Sequence, residues 1–162
     1  MAETLRLNSA AARAMPDIHL RPFVTSDAAA LARLWHASWL STGVPAAREI
    51  KREDLLARVR TEFEQGRRVT IAEVEGELAG FLVLKLEERR LDQLFVAPER
   101  KDSGIGTRLF ALAKETMPNG FVLRTAAANI AARRFYEKRG MRLDRLEPHP
   151  VHGYEVAIYV TP

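Results

Sequence analysis

The sequence predicts a single α/β domain with one mixed, mostly antiparallel sheet of six to seven strands and helices on both faces. Three observations predict it. Segments of strand and helix periodicity alternate from residue 18 onward. "RVTIAEVEGELAGFLVLKL" and "RRLDQLFV" form a run of strands joined by tight turns, which is the antiparallel part. The stretch from Leu91 to Thr125 then supplies one strand–helix–strand crossover, which sets two strands parallel.

"IHLRPF" (18 to 23) opens as a short strand. In "TSDAAALARLWHASWL", Thr25 or Ser26 offers a cap, and Leu31, Leu34, Trp35, Ser38 and Trp39 recur at helical spacing. "STGVPAAREI" breaks that helix, and a second follows with Leu55, Leu56, Val59 and Phe63 on one face. Glu75-Gly76 is the turn of a hairpin, and the residues around Glu88 turn the chain into the next strand. The helix after the glycines at 104 and 106 carries Ile105, Leu109, Leu112 and Thr116 on one stripe, and Pro118-Asn119-Gly120 stops it. "FVLRT" reads as a buried strand of the continuous apolar kind. Asn129 caps "IAARRFYEKR", with Gly140 just past that helix. "MRLDRLE" and "YEVAIYV" close the sheet, separated by "PHPVHG".

With 162 residues, 47% hydrophobic and 28% charged, the chain has the length and composition of one soluble globular domain. It has no cysteine, which excludes disulfides, thiol nucleophiles and thiolate metal sites. No apolar run reaches the length of a membrane span. "MAETLRLNSAAARAM" lacks the apolar core of a secretory signal, so residues 1–17 are expected to be a mobile tail before a domain at 18–162 in a cytoplasmic protein. The net charge of +4 is modest. "ERRLD" and "AARRFYEKRG" read as solvated faces without aromatic interleaving, so neither nucleic acid nor membrane is expected as a partner.

The chemistry concentrates in "LFVAPERKDSGIGTRLF", where a strand meets a helix. The first amides of a helix lack intrahelical partners and, with the helix dipole, favour an anion such as phosphate. Gly104 and Gly106 let a backbone approach oxygen atoms, and Lys101 adds charge. G-x-x-x-x-G-K-[ST] is absent, and Leu109 fills the third position of G-x-G-x-x-G, so the anion stays unidentified at this point.

That segment resembles the signature of the GNAT superfamily of N-acyltransferases, V-x-P followed by [QR]-x-x-G-x-[GA] at the start of a helix. "NIAARRFYEKRGM" is similar to the family's second block, N-x-x-A-x-x-F-Y-E-K-x-G. "IHLRPFVTSDAAALARLW" resembles its first strand and helix, so the resemblance spans roughly residues 18 to 160. It implies the GNAT fold, in which two parallel strands splay into a cofactor cleft, and transfer of an acetyl group from acetyl-coenzyme A to an amine by direct attack. By the same resemblance, pantetheine pairs with Leu94, Phe95 and Val96, and Leu94 N–H polarises the thioester carbonyl. The pyrophosphate sits on Lys101, Asp102, Ser103, Gly104, Ile105, Gly106 and Thr107. Asn129 contacts the cofactor arm, and Tyr136 protonates the departing thiolate, a role suited to a neutral phenol.

This chain departs from the pattern in three ways. Lys101 stands where glutamine or arginine is usual, and Asp102-Ser103 replace a glycine and a basic residue. Arg90 stands where some members carry a glutamate base, which leaves Asp92, a water chain or another group as the base. Trp35 and Trp39 read as core, and His149 and His152 lack a third metal ligand, so no metal is expected. The resemblance implies an amine-bearing small molecule or peptide as acceptor, expected to face residues 39–52 and 146–154, and leaves open which amine it is and whether the chain forms a homodimer. A binding module of the same fold, an acyl-coenzyme A sensor or scaffold without turnover, is the alternative.

Overall fold

The computed structural model describes residues 16–63 and 65–162; most of the expected tail lies outside the described residues. Seven strands form one sheet: β1 (Ile18–Pro22), β2 (Arg68–Val74), β3 (Glu77–Lys85), β4 (Arg90–Val96), β5 (Val122–Ala126), β6 (Arg142–Pro148) and β7 (Glu155–Val160). Their order is β1-β2-β3-β4-β5-β7-β6, and every neighbouring pair is antiparallel except β4 and β5. Among the described residues four helices, α1 (Ala28–Ser41), α2 (Arg52–Glu62), α3 (Ile105–Thr116) and α4 (Ile130–Lys138), cover it. No helix among the described residues is long and apolar enough to cross a membrane.

Strand periodicity splits β3 between two cores. Phe81 and Val83 join Leu31, Trp35, Leu55, Val59 and Phe63 under α1 and α2. Leu82 and Leu84 join Leu109, Phe110, Leu123, Tyr136 and Tyr159 under α3 and α4. Each such buried side chain contributes roughly 1.5–3 kcal/mol.

Glu75 and Gly76 turn the β2–β3 hairpin with φ of 54° and 77°, as the sequence suggested. Two expectations need adjusting. The chain enters α1 through a 3-10 turn at Thr25–Asp27, and the Asp27 carboxylate accepts Val24 N–H at 2.9 Å, so the helix starts later than a Thr25 or Ser26 cap would place it. The buried stripe of α3 is Ile105, Leu109, Phe110 and Ala113, because Phe110 turns its ring against Phe121 and Tyr136; Leu112 is only partly buried.

The joint between the two halves of the sheet is short. β4 and β5 share one rung, Arg90 opposite Val122, with Val122 N–H donating to Arg89 C=O at 3.0 Å. Beyond it β5 follows β7 as far as Ala126 opposite Val156, while β4 stays with β3. A bulge accompanies the parting: Leu84 faces Leu91 and Val83 faces Gln93, so Asp92 is an extra residue in β4. Bulges bend and twist the strand that carries them.

Candidate active site

The unpaired stretch of β4 borders a cleft of about 410 Å³. Its walls are residues 91–95 of β4, residues 124–126 of β5, and Asn129, Ala132 and Tyr136 around α4. A larger depression of about 710 Å³ beside β1 and β2 contains none of the expected site residues.

Hydrogen-bond direction alternates along a strand. Ala97 N–H donates to Ala79 C=O on the β3 side, so the Phe95 amide also faces β3 while those of Leu94 and Val96 point the other way. Val96 C=O confirms that direction by accepting the buried Ser38 hydroxyl of α1 at 2.9 Å. Leu94 and Val96 therefore present their N–H groups along an edge that β5 has left.

The chain leaves that edge into the turn of residues 101–107, which lies outside the cleft lining and opens α3. Gly104, with φ of 86°, is the N-cap; Ile105, Gly106 and Thr107 supply the amides without intrahelical acceptors. A side chain at Gly106 would meet Phe135 at 3.2 Å, so α4 presses on this turn. Lys101 reaches away, its ammonium donating to Ser41 Oγ at 2.9 Å, and Ser103 Oγ donates to Arg100 C=O. Asp102 is exposed, with φ of 62°. Arg139 of the α4 cap supplies a cation the sequence reading missed: it donates to Thr107 Oγ1 and stacks 3.5 Å over Phe135. Its position inside the charge-rich "YEKRG" had concealed it.

Helix α4 is tied down at several points. Asn129 Oδ1 accepts Ala132 N–H at 3.2 Å, the expected cap. Arg133 donates to Tyr159 Oη at 3.0 Å and to Ala127 C=O at 3.2 Å, while Tyr159 Oη donates to Glu137 at 2.5 Å. These bonds orient Tyr136, which lines the cleft and is only 7% exposed. Its hydroxyl has no hydrogen-bond partner among the described residues. Burial pushes the phenol above its ordinary range, so it remains a proton donor.

Asp92 also lines the cleft, its oxygens 3.8 Å from Arg67 Nε and 3.7 Å from Lys85 Nζ. Segments 39–52 and 146–154 bring Trp39, Ile50, His149, His152 and Tyr154 to the same space. Trp35 and Trp39 are buried core residues that line the cleft as well. His36 is turned to Ile50 C=O at 3.0 Å. His149 Nδ1 accepts the N–H groups of Val151 and His152, both at 3.1 Å, which fixes the β6–β7 turn. No group of three or more His, Asp or Glu among the described residues could hold a metal ion.

Solved structures share this architecture. A GCN5-related N-acetyltransferase from Rhodopseudomonas palustris aligns with a TM-score of 0.70 at 22% identity, over 91% of this chain and 95% of that one. The PaiA N-acetyltransferase of Thermoplasma acidophilum, in complex with coenzyme A, gives 0.68 at 23% identity over 87% and 97%. YncA, a putative acetyltransferase from Salmonella typhimurium with acetyl-coenzyme A, gives 0.66 at 15% identity over 88% and 92%. No curated protein matches the sequence. The family model for acetyltransferases of the GNAT family matches residues 29–141, most of the described chain, and the protein belongs to that family.

Proposed function

We propose that residues 18–162 form an N-acetyltransferase domain that moves an acetyl group from acetyl-coenzyme A to a primary amine by direct attack. The observation that carries this reading is the single rung between β4 and β5, beyond which the amides of Leu94 and Val96 point away from β3 along an edge that β5 has left, and Leu94 lines a cleft shared with the Tyr136 phenol. An extended amide chain such as pantetheine can add to that edge as a strand would. The coenzyme A and acetyl-coenzyme A bound to the Thermoplasma and Salmonella proteins support the choice of cofactor.

In this reading the Ile105, Gly106 and Thr107 amides receive the pyrophosphate, with Gly104 shaping the turn and Arg139 adding charge beside it. Lys101, Asp102 and Ser103 frame the loop through backbone. Asn129 and Phe95 border the cofactor arm. When bound, acetyl-coenzyme A supplies an activated acyl thioester. Leu94 N–H is the donor for the oxyanion, Asp92 takes the proton the amine loses, and Tyr136 gives a proton to the leaving sulfur. An N–C bond forms as the C–S bond breaks, and the products are an amide and a free thiol.

Thiol release from acetyl-coenzyme A, followed across a panel of amines, tests the proposal. Amine-dependent release is expected. Tight binding of acetyl-coenzyme A with no release for any amine would favour a non-catalytic sensor of the same fold.

A further inference from the structure

Among the described residues, four charged side chains line the cleft: Arg58, Glu62, Asp92 and Arg124. Three are engaged inside the protein. Arg58 donates to Glu62 at 3.1 and 3.3 Å and lies 4.9 Å over the Trp35 ring. Asp92 stands between Arg67 and Lys85. Arg124, the lone charge in the β5 stretch "VLRTA", has no hydrogen bond or ion pair among the described residues.

Its direction follows from the strand. Leu123 packs into the core under α3 and α4, so Arg124 projects to the opposite face, the side on which Ala126 meets Trp39. The register places Asp92 across from it. From the Arg90–Val122 rung, Asp92 and Arg124 each stand two positions onward, on the two lips of the parting. A guanidinium and a carboxylate thus face one gap from either side. The third wall is the β6–β7 turn, where the Tyr154 and His149 rings stack at 4.9 Å. Because His149 Nδ1 accepts two N–H groups, its ring proton sits on Nε2, and the neutral ring sets no second cation beside Arg124.

We infer that the acceptor is a small zwitterion, an amine that also carries a carboxylate, and that Arg124 is the residue that holds the carboxylate. The planar fork of a guanidinium matches a carboxylate in paired hydrogen bonds. A polyamine would instead bring a second cation to Arg124, and a lysine in a protein would leave its charge unmatched. With the carboxylate at Arg124, the amine lies toward Asp92, the group assigned to take its proton. The transfer then yields an N-acetylated amino acid and a free thiol. The inference rests on the acetyl-transfer reading.

The test uses the full chain with the common L-amino acids and the same compounds as carboxamides. Thiol release reads turnover, and calorimetry on protein saturated with coenzyme A reads binding without it. At least one acid should exceed its amide by about tenfold or more in kcat/KM and in affinity, since hydrogen bonds to a charged group are worth that much. Arg124→Gln should bring that ratio near one, and Arg124→Lys should restore part of it. Acids and amides handled equally by the native protein, a preference retained in Arg124→Gln, or no binding or release with any member would each overturn the assignment. Carboxylate binding that depends on Arg124 without thiol release would uphold the assignment and overturn acetyl transfer.

Discussion

Tyr136 joins two demands in one side chain. Its ring packs against Phe110 and Phe135, with centroids at 6.0 and 5.3 Å, while its hydroxyl has no hydrogen-bond partner among the described residues. Removing that hydroxyl leaves no buried group unsatisfied, so Tyr136→Phe should melt close to the native protein. As a general acid the phenol contributes on the order of 10²–10⁴-fold in rate, and acetyl transfer should fall accordingly with coenzyme A affinity retained. Burial raises the phenol above the ordinary value of 10.0, so the donor persists on the alkaline side and activity should not decline with a tyrosine-like titration near pH 10. Native turnover by Tyr136→Phe would assign the proton to solvent. Asp92 makes a different prediction. Asp92→Asn keeps the bulge and removes the proton acceptor, so turnover should drop most at low pH, where the amine is most protonated. An unaltered pH–rate profile would move the base to water. The sequence named both residues, yet it could not show why Asp92 reaches the cleft. The bulge depends on pairing with β3, and no local pattern in "RRLDQLFV" marks an extra residue. Arg124 was legible in principle, since a single charge in an otherwise uncharged strand needs a reason.

Among the elements, the turn into α3 is where local sequence says most. Its glycines, the following helix and the preceding strand can all be read directly because each depends on near neighbours. Which cation stands beside it cannot be read so easily: Lys101 is adjacent in sequence but bonds to α1, whereas Arg139 arrives from α4. A substitution at Gly104 must separate backbone from charge, because a left-handed φ of 86° penalises any side chain by about 1–2 kcal/mol. Gly104→Ala and Gly104→Glu share that cost. Only the second sets a carboxylate where the pyrophosphate is proposed to lie. Calorimetry with coenzyme A should show binding weakened in Gly104→Ala and abolished in Gly104→Glu. Equal affinity in the two variants would remove the pyrophosphate from this turn. The Asn129 cap was legible for the same local reason, while the Arg133–Tyr159–Glu137 bonds that seat α4 join distant segments and were not.

At the scale of the molecule, the sheet behaves as two packed halves that share one rung. The order of strands and helices foretold both halves; the parting itself arises from competition, with β3 holding β4 and β7 holding β5. Ser38 reinforces the parting by occupying Val96 C=O from α1. The consequence is measurable by amide hydrogen exchange, which reports local access to solvent as well as global opening. Phe95 faces β3, so its amide is paired with or without ligand, and its exchange follows overall stability. That stability should rise with coenzyme A by about 2.7 kcal/mol at a hundredfold excess over Kd. The Leu94 and Val96 amides differ from that of Phe95 in direction, pointing away from β3 to the side on which β5 pairs with β4 only at Arg90. Without coenzyme A their amides should exchange faster than Phe95, and saturating coenzyme A should close the difference as pantetheine adds to the edge. Leu94 and Val96 as slow as Phe95 in the ligand-free protein would mean that the edge is already covered. If they stay fast at saturation, the cofactor arm does not run along β4, and the strand loses its proposed part in the reaction.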